Sequence, residues 1–422
     1  MVMLSTAAGN TAVQSVLPAL GRSLHASDGV VAAVFSVSAL LWMLAAPYWA
    51  NRSERQGRRA MVLVGIAGFT LSQLLCGLCL VAGINGWLTP LATFLAFIVG
   101  RLLYGGFGSA APPAVQALVA GRTNRSERTR ALTLIASAFG LGTILGPAIA
   151  PYLVIGHLWT GGPQIGLAGP SFAFSLWGAM VWFFVARLLP RQEATSHGAA
   201  VSYPSIGGQA SGASVTAAIA DPGEKIGYFD PRIRAWMITG LVMGHAQVMA
   251  GQVIGFLVID RLHLAPADAL QPTGLVLMMG AGSALLAQWG LIPLLDLKPR
   301  QLMLTGLALG GLGCLAIGSA TSLYGIAMGY ALASLGFGFA RPGFTAGSSL
   351  AVGPHAQGAV AGKVTSINGA VFVVGPSIGI ALYGLWRPLP YLTAAACLLV
   401  ALGYAWLSLR PSDRAPEASP AQ

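Results

Sequence analysis

Apolar stretches of about 20 residues recur along almost the whole of this 422-residue chain, and each can cross a hydrocarbon core of about 30 Å as a helix. In lipid the backbone must satisfy its own N–H and C=O groups, which a helix does within the segment. Twelve spans are predicted, over residues 2–21, 29–50, 60–83, 90–117, 131–154, 168–188, 234–259, 270–295, 301–320, 322–349, 358–385 and 388–410. Hydrophobic residues make up 55% of the chain and charged ones 8%, and mean hydropathy is +0.72. These values belong to an all-α polytopic membrane protein and exclude a soluble enzyme or a disordered chain.

The net charge of +11 would suggest nucleic acid in a soluble protein, but here it is a topology signal. Arg52, Arg55, Arg58 and Arg59 follow span 2, Arg122, Arg125, Arg128 and Arg130 follow span 4, and Lys298 and Arg300 follow span 8. Connections on the other side carry Arg22, Arg261 and Arg387. Positive charge collects on the cytoplasmic side, so both termini are expected in the cytoplasm of a cell whose cytoplasmic (inner) membrane holds the chain. No cleavable signal peptide is expected, because span 1 is polar in places and lacks a basic flank. Cys76, Cys79, Cys314 and Cys397 all fall inside spans; the Cys-x-x-Cys spacing has no second pair or histidine beside it, so helix packing explains it better than a metal. No cofactor is implied.

Residues 189–233, rich in Gly, Ser, Ala and Pro, have no apolar period and read as a cytoplasmic linker between a bundle at 1–188 and a second at 234–410, with a tail at 411–422. The two halves repeat. GFGSAAPP at 106–113 matches GFGFARPG at 336–343, an offset of 230, and LGPAIAPYL at 145–153 matches VGPSIGIAL at 374–382, an offset of 229. Gly9-Asn10 likewise faces Gly244-His245. Ordered matches near one offset imply two pseudo-symmetric six-helix bundles of the kind that rock about a site at the bilayer midplane.

Three motifs then resemble the major facilitator superfamily (MFS), in its twelve-span drug:proton antiporter branch. The loop after span 2 reads Ala50, Glu54, Arg55, Gly57, Arg58, Arg59, with alanine and glutamate where the family usually has glycine and aspartate. Span 4 carries Arg101, Gly105, Gly108 and Ala110 in the Arg-x-x-x-Gly-x-x-Gly-x-Ala order. Span 5 has Gly142, Gly146 and Pro147, then Ala150 and Pro151 in place of two glycines. The resemblance implies alternating access, a central cavity drawn mainly from spans 1, 4, 7 and 10, and a cytoplasmic latch at Glu54, with Gly57 permitting the tight turn.

The residues support these motifs physically. Arg101, Gly105 and Gly108 share one helix face, and an arginine eleven residues into span 4, about 16 Å deep, must point into the protein. Either it meets substrate or helix carbonyls satisfy it. Gly142-x-x-x-Gly146-Pro147 offers close packing and a kink, a pivot or plain helix packing. Thr6, Asn10 and Gln14 form a polar stripe on span 1, His245, Met249 and Gln252 one on span 7, and Thr365 and Asn368 lie on span 11. Asn10, Gln14, Arg101, His245, Gln252, Arg341 and Asn368 are the expected substrate-binding residues.

No Asp or Glu lies in the interior of any span. Glu54, Arg101 and His245 are therefore the proton-coupling candidates, histidine because it titrates near neutral pH; transport without protons is the other reading. The buried cations Arg101, Arg341 and Lys363 favour an anionic or zwitterionic substrate, although Lys363 can instead snorkel to the cytoplasmic surface. The expected function is secondary active transport of a small organic molecule, as proton-coupled efflux, with an uncoupled or symport-type carrier of an organic anion as the alternative. A membrane-embedded enzyme or sensor is the remote one. Expected partners are the small-molecule substrate, protons and the lipid bilayer, with the chain acting as a monomer and no nucleic acid involved.

Overall fold

A computed structural model describes residues 1–120, 125–157, 159–189, 226–353 and 356–409. Arg122, most of the linker and the 411–422 tail lie outside the described residues, as do the side chains of Glu54, Arg55, Arg125, Arg128 and Arg130. The spans form as helices within six residues of their expected bounds, span 5 departing most, at Arg125–Ile149 against 131–154. In order they are Val2–Ser23, Asp28–Gln56, Arg58–Ile84, Pro90–Gly106 continued by Ala111–Ala120, Arg125–Ile149, Gly169–Leu188, Arg234–Leu262, Leu270–Leu285 continued to Leu295, Pro299–Ser319, Leu323–Leu350, Gln357–Leu385 and Leu389–Ser408. Local chemistry sets several starts. The Thr89 and Ser322 hydroxyls accept from the Ala92 and Gly325 N–H groups at the head of spans 4 and 10, and Pro90 and Pro299 take first helical positions, where no N–H is needed.

Ten helices among the described residues are long and apolar enough to cross a membrane; span 1 and span 5, with only the shorter apolar stretch Ser137–Leu153, are the more polar pair. Packing explains why span 1 tolerates Ser5, Thr6, Asn10, Thr11 and Ser15: 17 of its 22 residues are buried by neighbouring helices, so little of it meets lipid. The helices pair alike in both halves. Span 1 packs on 5, span 2 on 4, and span 3 on 4 and 6; span 7 packs on 11, span 8 on 10, and span 9 on 10 and 12. The two six-helix bundles meet along two seams, span 2 against 11 and span 5 against 8, and span 1 also touches spans 7 and 8.

Span 4 breaks where its glycines fall. Its first helix stops at Gly106, a 3-10 turn covers Gly108–Ala110, and the helix resumes with Pro112 and Pro113 in its first turn. The indole Nε1 of Trp49 donates to the Gly106 carbonyl at 2.5 Å, satisfying a group the break sets free. Span 8, expected as one helix over 270–295, contains a π-helical turn at Leu286–Leu291. The other departure from helix is a small antiparallel hairpin before span 6, β1 (Ile155–His157) on β2 (Gln164–Gly166), which Asn85 clasps by accepting from Gln164 N and donating to Gln164 O.

The basic loops do more than set topology. Arg58 donates to Ala117 O and Arg59 to Ala186 O, near the C-terminal ends of spans 4 and 6. In the other bundle Arg300 donates to Leu409 O and Trp406 O at the end of span 12. A guanidinium at the head of spans 3 and 9 thus covers the last carbonyls of spans 6 and 12, where the helix dipole favours a cation. One residue, Gly57, separates spans 2 and 3, with φ of +87°, a region that disfavours side chains.

Candidate functional site

A polar cavity of about 80 Å³ lies on the seam between the bundles. Span 1 contributes Thr11 and Gln14, span 5 Thr143 and Pro147, span 7 Gln247, span 8 Gln288 with small and aliphatic residues, and span 10 Tyr330, Ser334 and Phe337. Its wall is uncharged, offering three carboxamides and several hydroxyls over an apolar floor. Such a lining suits an organic molecule held by a few hydrogen bonds against an apolar body.

The close approach of span 5 to span 1 fixes one side. At Gly146 a Cβ would run into Ala8 O and Thr11 Oγ1 and come within 2.9 Å of Ala12 N, so only glycine allows the two helices this distance. The next residue, Pro147, has its carbonyl 2.8 Å from where a Cβ on Gly274 of span 8 would stand. Span 5 therefore touches span 1 with one face and the opposite bundle with another, at the depth of the cavity. In the other motif position, a Cβ on Gly105 would meet Ser38 O of span 2 at 2.5 Å, and one on Gly108 the Tyr104 ring at 2.6 Å.

Each bundle also holds a buried arginine. Arg101 is 1% exposed; its Nη2 donates to Asn10 Oδ1 at 2.6 Å, and its guanidinium lies 4.8 Å from the Tyr104 ring centroid and 5.8 Å from that of Phe35. Arg101 and Asn10 thus join spans 4 and 1 inside the first bundle, one helix layer behind the cavity. Arg341 donates to Asn368 Oδ1 at 3.0 Å and to Gln247 Oε1 at 2.7 Å. An arginine can only donate, so it fixes the Gln247 oxygen on its own side. The Gln247 NH2 is left to the cavity side.

Of the seven residues expected at the site, Gln14 lines the cavity, Arg341 and Asn368 stand behind Gln247, and Asn10 and Arg101 pair with each other. His245 is half-buried, with Nδ1 donating to Leu241 O at 2.9 Å, and Gln252 is buried, both away from the cavity wall. Lys363 sets its Nζ 4.5 Å over the Tyr228 ring, outside the cavity. Sequence reasoning passed over Thr11, Thr143, Gln247, Gln288, Tyr330 and Ser334. Gln247 carried a legible signal, a carboxamide in an apolar span, but it lies about 200° around the helix from His245, off the stripe read there.

The family model of the Major Facilitator Superfamily matches residues 1–362. The Multidrug resistance protein 2 of Bacillus subtilis (strain 168) is 27% identical over 138 residues, 33% of this chain and 32% of that protein. The class B Tetracycline resistance protein of Escherichia coli is 28% identical over 155 residues, 36% and 35% of the two chains. These two alignments span about a third of each relative's length. The Gallate transporter of Pseudomonas putida is 26% identical over 428 residues, covering 95% of this chain and 89% of that one. Among solved structures, a bacterial homologue of the human lysosomal transporter Spinster, inward-facing and occupied, superposes with a TM-score of 0.70 at 12% identity over 96% of this chain and 94% of that one. The human organic anion transporter MFSD10 superposes at 0.63 with 18% identity over 96% and 97%. The identities to both structures speak for the fold alone; with the family match over most of the chain, the protein belongs to the major facilitator superfamily.

Proposed function

We propose that the chain is a secondary transporter of the cytoplasmic membrane, with both termini in the cytoplasm, that exports a small organic molecule in exchange for protons. The bundles at 1–188 and 234–410, joined by the 189–233 linker, rock against one another around the seam cavity, and the chain works as a monomer. The observation that carries this reading is a polar cavity whose wall is shared by spans 1 and 5 of one bundle and spans 7, 8 and 10 of the other. Relative motion of the bundles must then open and close the site, as alternating access requires.

Gln14, Gln247, Gln288 and Tyr330 make the hydrogen bonds to substrate. With its oxygen held by Arg341, Gln247 is a pure donor towards the cavity, which favours a substrate presenting an acceptor oxygen there. Glu54, whose loop motif is shared with the family, is the acid of the cytoplasmic latch, and Gly146 with Pro147 forms the pivot between span 1 and span 8. His245 remains a proton-coupling candidate by residue type and Arg101 by changing a partner's protonation; neither lines the cavity.

A second reading, a carrier of organic anions, is supported by the one-bond distance of Arg341 from the cavity wall and by the likeness along nearly the whole chain to the Gallate transporter. Proteoliposomes holding a pH gradient and a pH-sensitive dye separate the two. Export in exchange for protons dissipates the gradient when a ligand selected by thermal stabilisation is added. Ligand flux that leaves the gradient intact refutes the exchange.

A further inference from the structure

On the face opposite the basic loops, the second bundle alone builds a cavity of about 900 Å³. Its wall comes from the end of span 7 with Asp260 and Arg261, the end of span 9 with Gly318 and Ser319, and the connection into span 12 with Trp386 and Arg387. It shares no lining residue with the seam cavity, and a volume of this order suits a bound organic group.

Positive charge is in excess there. Asp260 is the one acid in the lining among the described residues, and its Oδ2 already accepts from Arg22 at 3.0 Å and from the Tyr383 hydroxyl at 2.8 Å. Arg22 also donates to Asp28, so Arg22, Arg387, Asp28 and Asp260 sum to zero and Arg261 is left without a counter-charge. Arg387 stands with Nε 3.5 Å from Asp260, its side chain 53% exposed, and makes no hydrogen bond among the described residues. The Nε–H of Arg261 is buried and meets no acceptor. Its Nη2 donates to Gly318 O at 3.0 Å, which covers the carbonyl end of span 9, whose dipole disfavours an anion. A buried charged donor left unanswered is costly, and an anionic oxygen answers it.

The cavity lies at the level of lipid headgroups. Below it spans 9 and 12 pack on each other and leave Leu312, Leu315, Leu399 and Val400 exposed to the bilayer. Beside it Leu385 and Trp386 are exposed at the end of span 11, and a tryptophan there marks the boundary between hydrocarbon and water. We infer that the cavity holds the phosphate of an anionic phospholipid from the leaflet on this side. Arg261 and Arg387 donate to the phosphate oxygens, which the guanidinium fork matches, and the acyl chains lie along spans 9 and 12. Inorganic phosphate presents the same oxygens without the chains. The site stands apart from the seam and needs no movement of the bundles.

Three probes test this on the full chain in an uncharged maltoside detergent, with melting followed by tryptophan fluorescence: dioleoylphosphatidylglycerol, inorganic phosphate, and a monogalactosyl diacylglycerol that has acyl chains but no phosphate. Phosphatidylglycerol at a hundredfold excess over its dissociation constant should raise the midpoint by about 5 °C, and the galactolipid should leave it unchanged. Arg387→Gln should weaken phosphatidylglycerol binding about tenfold in titration while its own midpoint stays within about 1 °C of wild type, because the side chain is half in water. Arg261→Gln should weaken binding as much and also lower its own midpoint, since Gly318 O loses a donor. Arg232→Gln, on the opposite face, should bind as wild type does. An equal shift from the galactolipid, or a phosphatidylglycerol shift that survives in both Arg387→Gln and Arg261→Gln, overturns the assignment. A shift from inorganic phosphate with none from the lipid overturns the lipid as the source of the phosphate. No shift from any probe overturns the inference entirely.

Discussion

Arg101→Ala separates a substrate contact from a brace within the first bundle. At 1% exposure the side chain has no route to a ligand in the seam cavity, so its contribution is to the pairing of spans 1 and 4. The charge-assisted bond to Asn10 contributes about 1 kcal/mol at membrane depth. The desolvated stack on Tyr104 adds about 2 kcal/mol. Alanine should therefore destabilise the protein by about 3 kcal/mol, a fall of about 5 °C in the melting midpoint of the purified protein at a few degrees or less per kcal/mol for a chain of this size. Arg101→Lys keeps the charge but not the planar stack and should recover roughly half of that loss. Fluorescence melting with and without a saturating ligand measures both terms: the ligand's stabilising increment should be the same in wild type and variant. An Arg101→Ala protein that melts like wild type yet no longer responds to ligand would refute the reasoning, because the guanidinium would then be touching substrate.

The remaining predictions concern the cavity, the pivot and the loops. Gln247→Glu should pair more tightly with Arg341 and keep its melting midpoint, yet weaken binding of an acceptor-bearing ligand about tenfold in titration, as its cavity-side NH2 becomes a carboxylate oxygen that only accepts. Gly146→Val should force span 5 off span 1, at about 1–3 kcal/mol of overpacking, and stop transport in vesicles that still contain normal amounts of protein. Arg59→Ala should cost under about 1 kcal/mol and raise amide exchange near the end of span 6, with Arg300→Ala doing the same at span 12. Glu54→Gln should slow or abolish transport while membrane insertion, scored by protease protection, persists.

The spans were legible because hydropathy and length determine them almost alone: a helix such as Arg234–Leu262 declares itself at 234–259 within three residues. The glycine motifs were legible for a related reason, since Gly105 and Gly146 are demanded by contacts that lie one helix away whatever the rest of the fold does. The cavity was less so. Which face of a buried helix meets the seam depends on rotation, and helices enclosed on all sides, such as spans 1 and 7, carry polar residues on several faces. The stripe at Asn10 and Gln14 therefore divided, one residue bonding Arg101 inside the bundle and the other reaching the cavity. Gln288 stands inside the π-helical turn at Leu286–Leu291, where span 8 departs from the 3.6-residue period by which a stripe is read. Arg341 looked like a substrate contact because its charge is deep, but the carboxamides of Gln247 and Asn368 that absorb it come from spans 7 and 11, a proximity that only the folded bundle supplies.

The central claim is that the two bundles open and close around the seam cavity. Ser36 of span 2 and Ser377 of span 11 face each other across the seam with their hydroxyl oxygens 3.3 Å apart, about 12 Å in from the helix ends on the Arg22 face at 1.5 Å per residue. Cysteines at both positions, with the natural four removed, can be bridged by mild oxidation, and ligand transport into inverted vesicles is then measured before bridging, after bridging and after reduction. Alternating access predicts that the bridge stops transport and reductant restores it. Transport that continues undiminished through a fully bridged population would contradict it.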